Sequence, residues 1–152
     1  MNHFPLFFDL KGRKILCIGG GRVAGRRVSL LAHYGAVLTV IAPAVSPDIH
    51  MLSDEHQVIR RTMQLSDITS DYFVVLAATD DSEVNEAVGR RCKELNIPVN
   101  VASNHHLCDF YFPAVIEKSG AVIGIVGNGV DHIGVKRLKE KIDELMNDVN
   151  ID

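Results

Sequence analysis

Three consecutive glycines, Gly19-Gly20-Gly21, constrain this 152-residue chain more than any other feature. They end a short apolar run, Lys14-Ile-Leu-Cys-Ile18, and precede a stretch from Arg22 to Tyr34 with apolar side chains at helical spacing, closed by Gly35. Strand, glycines and helix together satisfy the pattern G-x-G-x-x-A, with Ala24 in the last place. The first glycine permits a tight turn, the second lets backbone approach a pyrophosphate, and the small third residue allows the helix to pack on the strand. Free amides at the helix start complete an anion site. Gly19, Gly20, Gly21, Arg22 and Val23 are therefore the expected phosphate loop for a dinucleotide.

The alternation continues beyond the loop. Val37-Leu-Thr-Val-Ile41 predicts a second strand stopped by Pro43 and Pro47, Gln57 to Met63 a weaker strand, and Asp71 to Ala78 a strong one. Thr79-Asp80-Asp81-Ser82-Glu83 offers small oxygen-bearing side chains for a helix start. That helix is expected from Ser82 to Leu95, broken at Asn96, with strands at Ile97–Val101 and Ala121–Val126 and a last helix over Val130–Val149. Such spacing predicts βαβ units and a single α/β domain over residues 1–152, with a mostly parallel sheet flanked by helices. Met51, Met63 and Met146 read as core filler.

Composition narrows the classes. Hydrophobic residues make up 47% and charged ones 23%, enough for a proper core, and the net charge of −3 gives no electrostatic case for nucleic acid. No apolar run approaches the roughly 20 residues of a membrane span. The start, Met1-Asn2-His3-Phe4-Pro5, lacks the basic and apolar regions of a signal peptide, so a cytoplasmic protein without membrane partners is expected. Cys17, Cys92 and Cys108 are far apart and form no C-x-x-C, which suggests reduced structural thiols rather than a metal site.

Several ordered stretches carry a resemblance. Phe4 to Lys14, the Gly19–Ala24 loop, Ala77-Ala-Thr-Asp-Asp-Ser-Glu-Val-Asn85, Val99-Asn-Val101, Leu107-Cys-Asp-Phe-Tyr-Phe-Pro-Ala114 and Lys136 to Ile142 together resemble the precorrin-2 dehydrogenases, the N-terminal module of siroheme synthases. The resemblance spans nearly the whole chain. It implies a Rossmann-like NAD(P)-binding fold, NAD as cofactor, a homodimer, and oxidation of precorrin-2, a carboxylate-rich reduced tetrapyrrole, to sirohydrochlorin. It also implies that Ala42, Pro43 and Ala44 lie beside the adenosine ribose and that Thr79 and Asp80 face the nicotinamide. The acidic residue expected about 20 positions after the glycine loop is missing, which leaves NAD against NADP open. Arg22 and Arg26 are the nearest basic residues in sequence.

The chain departs from the family pattern where the chemistry sits. The position of the family's catalytic aspartate is Ser103, and a serine has no carboxylate to accept a proton near neutral pH. His105, His106 and Asp109 are the nearby alternatives as acid or base, and the two histidines on an extended segment are expected to point to opposite faces. The family's basic, hydroxyl-rich loop is replaced by Gly127-Asn-Gly-Val-Asp-His132, and the sequence stops before most of the family's helical C-terminal extension. A catalytically silent homologue that binds nucleotide or tetrapyrrole, as carrier, sensor or chelatase partner, is the competing expectation.

Overall fold

Apolar runs that are buried on both faces suit a parallel sheet, and the computed structural model, which describes residues 3–118, 120–127 and 131–146, forms one from five of them. The chain divides into two compact units, Phe8–Phe110 and a second drawn from Met1–Phe7 with Tyr111–Asp152.

In the first unit β1 (Lys14–Ile18), α1 (Arg22–His33), β2 (Val37–Ile41), the short α2 (Pro47–His50), β3 (Gln57–Ile59), β4 (Val74–Ala77), α3 (Ser82–Glu94) and β5 (Val99–Val101) follow in order. The strands are all parallel and lie in the order β3-β2-β1-β4-β5. This is the Rossmann-like order, with chain direction across the sheet reversing between β1 and β4. Ile15, Leu16, Ile18, Val75 and Leu76 are fully buried at its centre, each worth about 1.5–3 kcal/mol by area removed from water.

Two helices cover the sheet by different means. On α1 the buried residues Ala24, Gly25, Val28 and Leu31 share one face, and the helix starts at Gly21 with no side-chain cap and no acid in its first turn. On α3 the Asp81 carboxylate caps the start, accepting from the amides of Glu83 and Val84 at 2.9 and 3.2 Å. Asn85, Val88, Gly89 and Cys92 form its buried face, and a Cβ on Gly89 would stand 3.2 Å from a Val101 methyl. Asn96, at φ +56, turns the chain out of the helix where the sequence placed a break.

The outer edge of β5 is sealed by the segment that follows it. Val99 exchanges hydrogen bonds with Asp109, its amide donating to Oδ2 at 3.0 Å and its carbonyl accepting from the Asp109 amide at 2.8 Å. The Val101 amide donates to Cys108 Sγ at 3.2 Å, and the thiol donates back to the Val101 carbonyl at 3.3 Å. A further bond at 2.7 Å runs from Asn100 Nδ2 to the Phe110 carbonyl.

In the second unit β6 (Ala114–Lys118) and β7 (Ala121–Ile125) form an antiparallel pair, followed by α4 (His132–Leu145). The Asp131 carboxylate caps α4 through the Gly134 amide at 2.7 Å, and Lys118 Nζ donates to the Asp143 carbonyl at 3.1 Å. The run at 121–126 therefore belongs to a hairpin rather than to the parallel sheet, and its burial alternates accordingly. A six-residue apolar run is too short for periodicity to distinguish the two. Residues 128–130 of the altered loop, and the expected end of the last helix from 147, lie outside the described residues.

Candidate functional site

In open α/β sheets ligands bind beyond the carboxyl ends of the strands where the strand order reverses. Here that point lies between Ile18 and Ala77. The Gly19 amide donates to the Ile41 carbonyl at 3.0 Å, the Ala78 amide to the Ile18 carbonyl at 2.8 Å, and the Ser46 amide to the Gly20 carbonyl at 2.7 Å. The glycine loop is thus tied to the ends of β1, β2 and β4.

The glycines are required by space. Gly19 has φ +117, and a Cβ there would come within 2.2 Å of the Ala78 carbonyl oxygen. At Gly20 a Cβ would meet the Ala44 carbonyl oxygen at 2.1 Å and Ala42 Cβ at 2.9 Å. Gly21, by contrast, faces open space. Gly21, Arg22 and Val23 are exposed at the uncapped start of α1, Val23 at 53%. A bare helix start with no acid in its first turn, reached by backbone alone, fits the pyrophosphate of a dinucleotide. Ala42 is buried against the loop while Pro43 and Ala44 are exposed beside it.

Across the reversal point the loops after β4 and β5 meet in one hydrogen-bonded network. Asn85 is fully buried. Its Oδ1 accepts from the Thr79 amide at 2.9 Å and the Thr79 hydroxyl at 2.8 Å, while its Nδ2 donates to the Thr79 carbonyl at 3.0 Å and to Ser103 Oγ at 3.2 Å. Asp80 and Ser103 are exposed at this end. The structure thus brings Thr79 and Ser103 together through a residue for which the sequence suggested no role. Its signal was present: Asn85, Val88, Gly89 and Cys92 fall at the i, i+3, i+4, i+7 positions of a buried helix face.

The other acid–base candidates lie along the β5 edge. The Asp109 carboxylate holds the Val99 amide. His105 and His106 occupy one 3-10 turn (His105–Leu107), opened by Asn104 Oδ1 accepting from the His106 amide. Their ring centroids are 3.9 Å apart, so the expectation of opposite faces is overturned: the turn replaces an extended segment and sets the rings side by side. Among the described residues no three His, Cys, Asp or Glu side chains gather as a metal site.

Two features were not legible from sequence spacing. The Ala42 amide donates to the Ile59 carbonyl at 3.1 Å, which places Arg60 and Arg61 next to the end of β2. Arg61 makes two bonds to the Asp67 carboxylate, at 2.8 and 2.6 Å, which hold that carboxyl below its ordinary range. Met51, expected in the core, is 86% exposed in the turn that ends α2. Burial pushes the Cys17 and Cys92 thiols up to about 12, and all three cysteines are free. No described helix is long and apolar enough to cross a membrane.

Comparison with known proteins agrees with this geometry. A family model described as "Putative NAD(P)-binding" matches residues 6–114. A siroheme synthase of Psychrobacter cryohalolentis is 43% identical over 148 residues, covering 96% of this chain and 28% of that protein. One from Pseudoalteromonas atlantica is 36% identical, covering 96% and 32%. The chain therefore spans about a third or less of the length of these relatives. The solved structure of SirC, a precorrin-2 dehydrogenase, superposes with a TM-score of 0.77 at 29% identity, covering 94% of this chain and 71% of that one. With its glycine loop, strand order and sequence all in agreement, the chain belongs to the NAD(P)-binding family shared by siroheme synthases and precorrin-2 dehydrogenase.

Proposed function

We propose that the chain is an NAD⁺-dependent precorrin-2 dehydrogenase of siroheme biosynthesis, which oxidises precorrin-2 to sirohydrochlorin. The observation that carries the reading is the glycine loop at the reversal point, where no side chain fits at Gly19 or Gly20 and the helix start is uncapped, as an anion site requires. The names of the relatives, siroheme synthase and precorrin-2 dehydrogenase, supply the substrate. A homodimer in the cytoplasm follows from the resemblance, and three free thiols suit a reducing compartment.

In this reading the amides of Gly21, Arg22 and Val23 hold the pyrophosphate, and Ala42, Pro43 and Ala44 flank the adenosine ribose. Thr79 and Asp80 border the nicotinamide. When bound, NAD⁺ supplies the hydride acceptor. The chain orients the tetrapyrrole against it, which lowers the entropic part of the barrier, and a base takes the accompanying proton. His105 and Asp109 are the candidates for that base. The preference for NAD⁺ rests on the resemblance. An anaerobic assay of precorrin-2 with NAD⁺, followed by absorbance, should show sirohydrochlorin formed faster than the uncatalysed oxidation; background rate alone would overturn the reading.

One observation favours a second reading. Ser103 presents a hydroxyl where the family has an aspartate, and that hydroxyl accepts a hydrogen bond from Asn85. A binding homologue without turnover would bind NAD⁺ by calorimetry, form no sirohydrochlorin, and gain activity on Ser103→Asp.

A further inference from the structure

The geometry points to Asn85 as the positioning residue of the site: it fixes the nicotinamide-side turn and residue 103 in one arrangement without itself reaching a ligand. This inference rests on the coenzyme reading above. Four hydrogen bonds leave Asn85. Three go to the amide, hydroxyl and carbonyl of Thr79, and the fourth goes to Ser103 Oγ. The side chain is fully buried, so its amide is spent entirely on these two partners.

The consequence for Thr79 is specific. Its amide points to Asn85 Oδ1, and its one hydroxyl proton lies between Asn85 Oδ1 at 2.8 Å and the Asp81 carbonyl at 2.9 Å, so neither donor is left for a ligand. The hydroxyl also accepts from the Asp81 amide at 3.2 Å. Thr79 therefore shapes the cleft with its backbone and methyl, and its placement is set by Asn85. The partner at 103 lies 18 residues later in the chain, on the loop that follows β5. Asn85 is thus a side-chain link, beyond the sheet's own ladder, between the turns that follow β4 and β5.

The two halves of a dinucleotide lie on opposite sides of the reversal point, so the prediction is lopsided. Asn85→Ala should weaken NADH binding by about tenfold, the scale of one to two buried hydrogen bonds. ADP-ribose, which lacks the nicotinamide, should lose less than about twofold, within the usual effect of remote changes. Titration of NADH fluorescence and calorimetry with ADP-ribose measure the pair. Ser103→Ala, an exposed change that leaves the core intact, should weaken NADH about two- to fivefold with ADP-ribose unaffected, and should add nothing in the Asn85→Ala background. Asn85→Asp carries a second signature. As a carboxylate it can still accept from the Ser103 hydroxyl but opposes the Thr79 carbonyl with no proton between them, so NADH affinity relative to the parent should recover on acidification as that donor returns. Equal losses for both ligands would make Asn85 a purely structural residue and overturn the inference, as would an Asn85→Asp protein with the parent's pH profile. If Asn85→Ala does not fold, a Ser103→Ala protein with unchanged NADH affinity overturns it. A parent protein that binds neither ligand overturns the coenzyme reading itself, and the inference with it.

Discussion

At the end of β1 the chain presents backbone alone, whereas at the ends of β4 and β5 the turns are stitched by side chains. The first region depends on what is missing: no Cβ at Gly19 or Gly20, no cap at Gly21, no acid in the first turn of α1. The second depends on what is present: the four bonds of Asn85, the Asp81 cap, and the Asp109 and Cys108 bonds along β5. A pyrophosphate is the invariant part of any dinucleotide and is served by fixed backbone dipoles. Substrate and proton chemistry vary, and side chains can be exchanged without rebuilding the fold.

Substitutions can break or sharpen this contrast. The largest effect is expected at Gly19. Gly19→Ala places a Cβ against the Ala78 carbonyl at φ +117, and should cost about 3 kcal/mol or more in denaturant unfolding. Gly21→Ala meets nothing within 4 Å and should stay within about 0.5 kcal/mol. Equal penalties at the two positions would remove the claim that contact, not helix geometry, dictates the glycines. Next comes Asp109. Its replacement by alanine leaves the Val99 amide without its partner and should cost about 1–3 kcal/mol, while Asp109→Asn keeps an acceptor and most of the stability. If instead Asp109→Asn is stable but loses turnover, the carboxylate is the proton acceptor and the β5 edge is part of the chemistry.

The smallest effect belongs to the Arg61–Asp67 clamp next to the end of β2. The guanidinium lowers the Asp67 carboxyl below its ordinary 3.8. A depressed folded value means stability that is present above the unfolded value and is lost as pH falls through the folded one. Carboxyl titration by NMR should show the Asp67 midpoint rise on Arg61→Ala, and the variant should lose the parent's extra acid dependence below pH 3.8. An unmoved midpoint would show that the clamp does not persist in solution.

What the sequence made legible follows the same division. β1 and β2 match the apolar runs residue for residue, because strands buried on both faces admit little else. The glycine loop was legible because steric exclusion leaves a mark in composition. The side-chain region was not, since a polar residue in a helix gives no outward sign of whether it faces water or a partner. Asn85 is distinguished only by sharing the phase of Val88 and Cys92. Pro47 reads as a strand stop, yet it also occupies the first turn of α2, where its missing amide costs nothing. The side-by-side rings of His105 and His106 depend on a 3-10 turn that three residues of sequence do not announce.

The bonds that Asp109 and Cys108 make to Val99 and Val101 also concern the chain's behaviour in a crowd. An open strand end-on to solvent is a template on which a second polypeptide can add itself, the first step toward misassembly. Here both outward amides and both outward carbonyls of β5 are already engaged by the chain's own next segment. On that side the sheet has no free ladder for another molecule to extend. A change that frees Val99 would be expected to appear first as aggregation on concentration.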